Sequence, residues 1–436
     1  MSTAPGGQIT YSPITYIPGH FGNANASCMM AVSERRVGST ATGDAPVYVY
    51  CQQPDGSYKE VSAQLFGSTP YINNNYPAVG DFTGDGIDSV VFVEFEDAAS
   101  QQTGQTVAYM SNGDGTYTMK TLPSAYTVSI PAGVTVFGAN SAVYAVTAAD
   151  ITNSGCLDVV TSTDIVYLGD CHGNFTQSYI KDSASAPIYW SAFLTVCNGG
   201  DLFGDGHQDL VEGGATAGNN PAILQMNRVI EVDSGLNVVK EVDLPAPYWN
   251  VKYNSQNATN VQVCAVADLT GNGKKDIVIV DDPRPQFTPE SNGSWWYGKV
   301  EVYMNQGNGS FVDASASALP GFNTSNEFAT TLLLQDLNGD GKPDIVLAGN
   351  SWNGTTTQAN SIWINNGDGT FRQVLGAQEV ALYSGYSGFT GYVGPSRGYV
   401  GDIVPLPAYG GLGFIMDGAI SDSWEYVFAA TNLVAN

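Results

Sequence analysis

The chain has 436 residues and carries 15 Lys and Arg against 41 Asp and Glu, a net charge of −26. That balance excludes a nucleic-acid partner, because phosphate binding needs a basic footprint, and no run approaches the roughly 18 apolar residues of a membrane span. With 43% hydrophobic residues and 24 Tyr the chain has ample material for a core, which excludes a disordered polymer, and its 51 Gly point to many turns.

The first twenty residues, MSTAPGGQITYSPITYIPGH, lack a basic start and an apolar stretch, so no secretory signal is read there. The expected extracellular or surface location would then follow from removal of a leader ahead of this start, or from leaderless export or assembly into a particle. A first signature, VYVYCQQPDGSYKEV, lies at 47–61 with no Asp-rich partner before it. Five Asp-rich segments follow: DFTGDGIDSVVF from Asp81, DITNSGCLDVVT from Asp150, DLFGDGHQDLVE from Asp201, DLTGNGKKDIVI from Asp268 and DLNGDGKPDIVL from Asp336. Most are followed by a second signature of the NGDGTF kind, whose aromatic falls at Tyr58, Tyr117, Phe175, Phe311 and Phe371. The gap between Phe175 and Phe311 holds a degenerate copy near 224–242, and a late stretch from Val400 resembles half a unit without its acidic loop.

β-Branched runs such as those after Ser89, Asp276 and Asp344 follow Gly-rich turns and predict strands. The runs before each Gly-Asp-Gly turn predict hairpins. Each unit therefore reads as strand A, Asp loop, strand B, variable loop, strand C, hairpin and strand D. Four-stranded units of about 60 residues around an axis describe an all-β, seven-bladed β-propeller. The expected blades are 20–62, 63–121, 122–180, 181–243, 244–315, 316–376 and 377–436 of a single domain, with an N-terminal strand at 8–17 closing the last. An open solenoid or two sandwiches would explain neither the unit length nor the incomplete ends.

The Asp loops carry the chemistry. In the fifth, Asp336, Asn338, Asp340 and Asp344 put side-chain oxygens at positions 1, 3, 5 and 9, and Lys342 offers its carbonyl at position 7. Hard oxygen donors in a flexible turn suit Ca²⁺. An EF-hand would need Glu at position 12, where Leu347 stands in a strand. The competing reading is a metal-free, Asx-rich turn.

These loops resemble the FG-GAP/VCBS repeats of integrin α-chain propellers and of integrin-like propeller lectins, strongly in five blades and weakly in two. The resemblance implies about three to five Ca²⁺ on the A–B loops of one face. Carried over, the first loop offers Asp81, Thr83, Asp85, the Ile87 carbonyl and Ser89; the second offers Asp150, Thr152, Ser154, the Cys156 carbonyl and Asp158. The third offers Asp201, Asp205, the His207 carbonyl and Asp209, and the fourth Asp268, Thr270, Asn272, the Lys274 carbonyl and Asp276. Phe203 cannot ligate, and Ser89 and Ser154 replace the usual carboxylates or amides, so the fifth, fourth and first loops should hold metal best.

Strand polarity puts the B–C and D–A loops on the opposite face, which is rich in aromatics: Tyr71, Tyr189, Trp190, Tyr248 and Trp249 in Pro-led connectors, and Trp295, Trp296 and Trp352 in long B–C loops. Such rings stack on sugars, or else simply cap the core. The expected function is a non-enzymatic, calcium-stabilised lectin or adhesin for cell-surface glycans or glycoproteins. The alternatives are a structural or receptor-binding subunit of a surface assembly and, last, a polysaccharide-degrading enzyme. The G-x-S-x-G match at 394–398 lacks a later His, since the histidines are His20, His172 and His207. Of six cysteines, Cys156 and Cys171 are placed to form a disulfide, whereas Cys197 and Cys264 read as small core residues.

Overall fold

β-Branched runs between glycine turns fold as antiparallel strands, gathered in chain order into small sheets. The structure, a computed structural model, describes residues 9–37, 40–41, 44–54, 58–72, 77–93, 104–126, 128–129, 143, 145–181, 195–214, 227–245, 252–253, 256–257, 261–281, 299–322, 331–336, 340–348, 361–375, 399–406, 411–417 and 426–430. The chain divides into two compact units, Met1–Asn198 with Ile230–Lys240, and Gly199–Val229 with Glu241–Asn436.

In the first unit, the first sheet takes Ile9–Gly19, Cys28–Val37, Ala45–Gln52 and Tyr58–Glu60 in that order, with two short strands added at its sides. The second takes Ala78–Gly80, Ser89–Val93, Thr106–Ser111 and Tyr117–Leu122, and the third Val146–Ala149, Asp158–Thr161, Ile165–Gly169 and Phe175–Tyr179. A fourth sheet, with residues of both units, runs Thr195–Gly200, Asp209–Gly213, Arg228–Val232 and Val238–Asp243.

In the second unit, the fifth sheet takes Val261–Ala267, Asp276–Asp281, Lys299–Gly307 and Ser310–Asp313. The sixth takes Thr331–Gln335, Asp344–Ala348, Ser361–Asn365 and Phe371–Leu375. A last sheet has three strands, Tyr399–Leu406, Gly411–Asp417 and Tyr426–Ala430.

Burial explains why the B strands read as unbroken apolar runs. Successive side chains of a strand point to opposite faces. In the second sheet Val90 and Phe92 enter a core shared with Val32, Val47 and Val49 of the first. Val91 and Val93 enter another, shared with Val146, Val159 and Tyr167 of the third. Both faces are covered, so the alternation of a half-exposed strand is lost. Outer strands keep it: Tyr117–Leu122 has only Tyr117 buried. Val278, Val280, Val300 and Val302 of the fifth sheet pack likewise on Leu332, Ile345 and Leu347 of the sixth.

The fold is an all-β propeller, but the blade count is corrected from seven to six. Among the described residues six sheets carry at least four strands, and the last has three. The reason lies at the N-terminus. The strand expected to close the last blade instead pairs with Cys28–Val37, from Ile9↔Val37 to Gly19↔Cys28, and is the A strand of the first sheet.

All six cysteines are disulfide-bonded. Cys156–Cys171 forms as expected, joining the A–B loop and hairpin of the third sheet. Cys28–Cys51 links directly opposed residues of adjacent strands. Cys197 and Cys264 are bonded too, which corrects their reading as plain core residues.

Candidate metal loops

Five loops share one backbone path because the sequence places glycine or asparagine where φ must be positive. Gly84 and Gly86 (φ 75° and 79°) have counterparts in Asn153 and Gly155, Gly204 and Gly206, and Gly271 and Gly273. Gly341 holds the sixth position of the fifth loop. This path turns successive amides toward one point, a concave anion nest.

The first aspartate of each loop fills that nest. Asp81 accepts Gly84 N at 2.7 Å and Gly86 N at 2.8 Å. Asp201 accepts Gly204 N at 2.6 Å and Gly206 N at 2.9 Å, and Asp268 accepts Gly271 N at 2.8 Å and Gly273 N at 2.7 Å. Asp150 takes Ser154 N and Gly155 N, and Asp336 takes Asp340 N and Gly341 N. The fifth position closes the next turn: Asp85, Ser154, Asp205, Asn272 and Asp340 accept the amides of Ile87, Cys156, His207, Lys274 and Lys342.

The ninth position is buried and braces the sheet. Asp158 accepts Gly169 N at 2.9 Å, Asp276 accepts Leu269 N at 2.9 Å and Asn305 N at 2.8 Å, and Asp344 accepts Asn365 N at 2.8 Å. Ser89 does the same for Ser111 N at 2.9 Å, so its hydroxyl is a structural replacement for a carboxylate. Asp209 accepts Leu202 N and Phe203 N, while the Phe203 ring is buried and adds no oxygen.

One part of this arrangement lies outside the spacing of the Asp loops. Asn305 and Asn365, which open the hairpin signatures, also donate across to the preceding loop, Asn305 Nδ2 to the Leu202 carbonyl and Asn365 Nδ2 to that of Leu269, both at 2.8 Å. Gly173 N reaches the Phe82 carbonyl in the same way at 2.9 Å. Their recurrence at the start of NQGNG and NNGDG is the signal in the sequence, where the motif by itself predicts only a hairpin turn.

The donor chemistry fits a hard divalent cation. Thr83 Oγ1 lies 3.4 Å from Asp81 Oδ1, Thr270 Oγ1 3.5 Å from Asp268 Oδ1, and Thr152 Oγ1 3.4 Å from Asp158 Oδ2. Two oxygens at right angles around Ca²⁺, each about 2.4 Å from it, are about 3.4 Å apart. Burial pushes Asp158 up to about 6, and the charge of Asp150 adds to the rise. Burial likewise raises Asp276 to about 6, with Asp268 contributing. A cation among these carboxylates would relieve both effects. The same hydrogen bonds also describe a self-sufficient Asx-rich turn, so loop shape does not by itself require metal.

Asn338 lies outside the described residues, as do Tyr189, Trp190, Tyr248, Trp249, Trp295, Trp296 and Trp352. Tyr71 is 55% exposed, in a short strand beside Pro46.

Residues 268–347 and 336–403, covering the fourth and fifth Asp loops, match the model of the FG-GAP-like repeat. Two FG-GAP-like repeats thus lie within this all-β propeller. No curated protein matches it. Among solved structures it is similar to the exotype rhamnogalacturonan lyase YesX, at 10% identity and TM-score 0.45, over 96% of this chain and 72% of that one. It is also similar to the rhamnogalacturonan lyase YesW, at 12% identity and TM-score 0.41, over the same shares.

Proposed function

We propose that the protein is a calcium-stabilised, non-enzymatic binding protein that recognises carbohydrate on cell surfaces, a lectin or adhesin outside the cell. What supports the calcium part is the approach of the position-3 hydroxyl to the position-1 carboxylate in the first and fourth loops and to the position-9 carboxylate in the second, with the raised Asp158 and Asp276 as the electrostatic cost. Rigid sheets held by disulfides and by hairpin-to-loop hydrogen bonds suit a scaffold that presents loops. Complete pairing of the cysteines supports an oxidising, extracellular setting. Among the described residues no helix is long and apolar enough to cross a membrane.

The sugar-binding part rests on the aromatic connectors of the sequence. Several similar weak pockets on one scaffold would give avidity for clustered sugars. A glycan array probed with and without chelator tests this, together with the Trp190→Ala, Trp249→Ala double variant. The reading predicts binding to multivalent glycans that the double variant loses about tenfold or more, with its melting temperature unchanged. Absence of binding to any glycan overturns the lectin reading in favour of a protein-binding surface component. Appearance of unsaturated or new reducing sugar ends overturns the non-enzymatic one.

A further inference from the structure

On the fifth sheet, away from the Asp loops, two acidic side chains are fully buried. Glu301 and Asp281 are each 0% exposed. Glu301 stands opposite Ile279 in the register, two residues from Asp281 along the same strand. Glu301 and Asp281 therefore project from one face as a diagonal pair. Glu301 Oε2 is well served, accepting Tyr303 Oη at 2.7 Å and Asn227 Nδ2 at 2.9 Å. Asn227 is itself fixed, accepting Gly214 N on Oδ1 at 3.0 Å and Leu244 N on its carbonyl at 2.7 Å. Glu301 Oε1 meets no N–H or O–H donor among the described residues. Its diagonal neighbour is the buried Asp281 carboxyl, which interacts with the Glu301 side chain.

Two carboxyl groups can hydrogen-bond only through a proton. Two buried, ionised carboxylates side by side would instead repel in a region from which water is excluded. Among the described residues, Asp313 on the adjacent outer strand adds negative charge, Tyr303 is held neutral by burial, and Lys299, directly opposite Asp281 in the register, faces the Asp281 end of the pair. From the neighbouring fourth sheet the facing group is the neutral Asn227.

We propose that Glu301 and Asp281 share one proton in the folded protein at neutral and mildly acid pH, forming a buried acid pair that locks the fifth sheet and releases as the solution becomes alkaline. Burial pushes Glu301 up to about 7, in agreement with a proton held by the pair rather than by either residue. The sign follows. Unfolded, Glu301 ionises near its ordinary value of 4.5, so between there and about 7 the folded chain binds the extra proton. The unfolding constant then rises about tenfold per pH unit across that window and levels off above it. The remaining carboxylates also respond to pH, so the test compares variants.

The full-length protein, labelled with ¹³C at the glutamate Cδ, reports the pair directly, because aspartates stay silent. At pH 6 one resonance is expected displaced toward the protonated-carboxyl position, absent in Glu301→Gln. In Asp281→Asn, whose amide can donate to Glu301, that resonance should move to the ionised position. Denaturant titrations should show the tenfold-per-unit dependence in the native protein and a slope lower by about one proton in both variants. If Glu301→Gln does not fold, the Asp281→Asn shift alone decides. Finding every glutamate resonance ionised at pH 6 overturns the proposal, as does an unchanged slope in Asp281→Asn.

Discussion

Asp276 shows how much one side chain does in this fold. It is buried at the start of a B strand and accepts one amide from its own Asp loop and another from its own hairpin. Replacement by Ala strands both amides, at about 1–3 kcal/mol each, and removes a candidate ligand. Asp276→Ala is therefore expected to lower stability by about 2–5 kcal/mol in denaturant titration even with chelator present. Asp276→Asn keeps an acceptor for one amide and should cost about half as much. A cost that appears only when calcium is present would instead make the residue a pure ligand. The spacing of the oxygens at positions 1 and 9 was legible. Their service to the backbone was not, because it depends on amides that the glycine path turns inward.

At the scale of the element, the same span is bridged by different chemistry from sheet to sheet. In the third sheet Cys156 is bonded to Cys171. In the fifth, Lys274 at the equivalent loop position donates to the Gln306 carbonyl at 2.7 Å. In the second, Ser111 donates to Asp85 at 2.7 Å. The covalent bridge, at a separation of 15 residues, should contribute about 3 kcal/mol. Lys274 is exposed and should contribute about 1 kcal/mol or less. Urea titration of Cys156→Ser with Cys171→Ser against Lys274→Met measures the contrast, and equal losses would contradict it.

The elements also separate what was readable from what was not. Five Asp loops with their B strands, and the C–D hairpins, were legible because a nine-residue motif and a glycine turn leave little conformational choice. The A strand of the first sheet was hidden because residues 20–27, HFGNANAS, replace the Asp loop that marks the A–B turn of the second to sixth sheets. Cys28–Cys51 was hidden for the same reason: only the pairing of those strands brings the two residues opposite each other. The buried Glu301 and Asp281 carried no signal, since acidic residues at strand ends ordinarily face solvent.

For the molecule as a whole, a net charge of −26 includes loops whose carboxylates face one another, Asp150 with Asp158 and Asp268 with Asp276. Asp158 and Asp276 sit above the ordinary carboxylate range, so metal-free protein binds more protons folded than unfolded between about pH 4 and 6. In chelator, stability should fall as pH rises through that window. In calcium the sign reverses, because the bound ion requires ionised ligands, and stability should rise through the same window. Melting temperatures across that range in both conditions check the crossing. Two parallel curves would contradict it.

The central claim is that the Asp loops are calcium sites and not only self-closed turns. Calcium content per chain, measured by elemental analysis after equilibration at low free Ca²⁺ and gel filtration, tests it most directly. The account predicts about three to five ions per chain, removed by chelator together with a large drop in melting temperature. Each occupied site would stabilise by about 2.7 kcal/mol at a hundredfold excess over its Kd. Protein that retains no calcium, and melts identically with and without chelator, would contradict it and leave the loops as hydrogen-bonded turns.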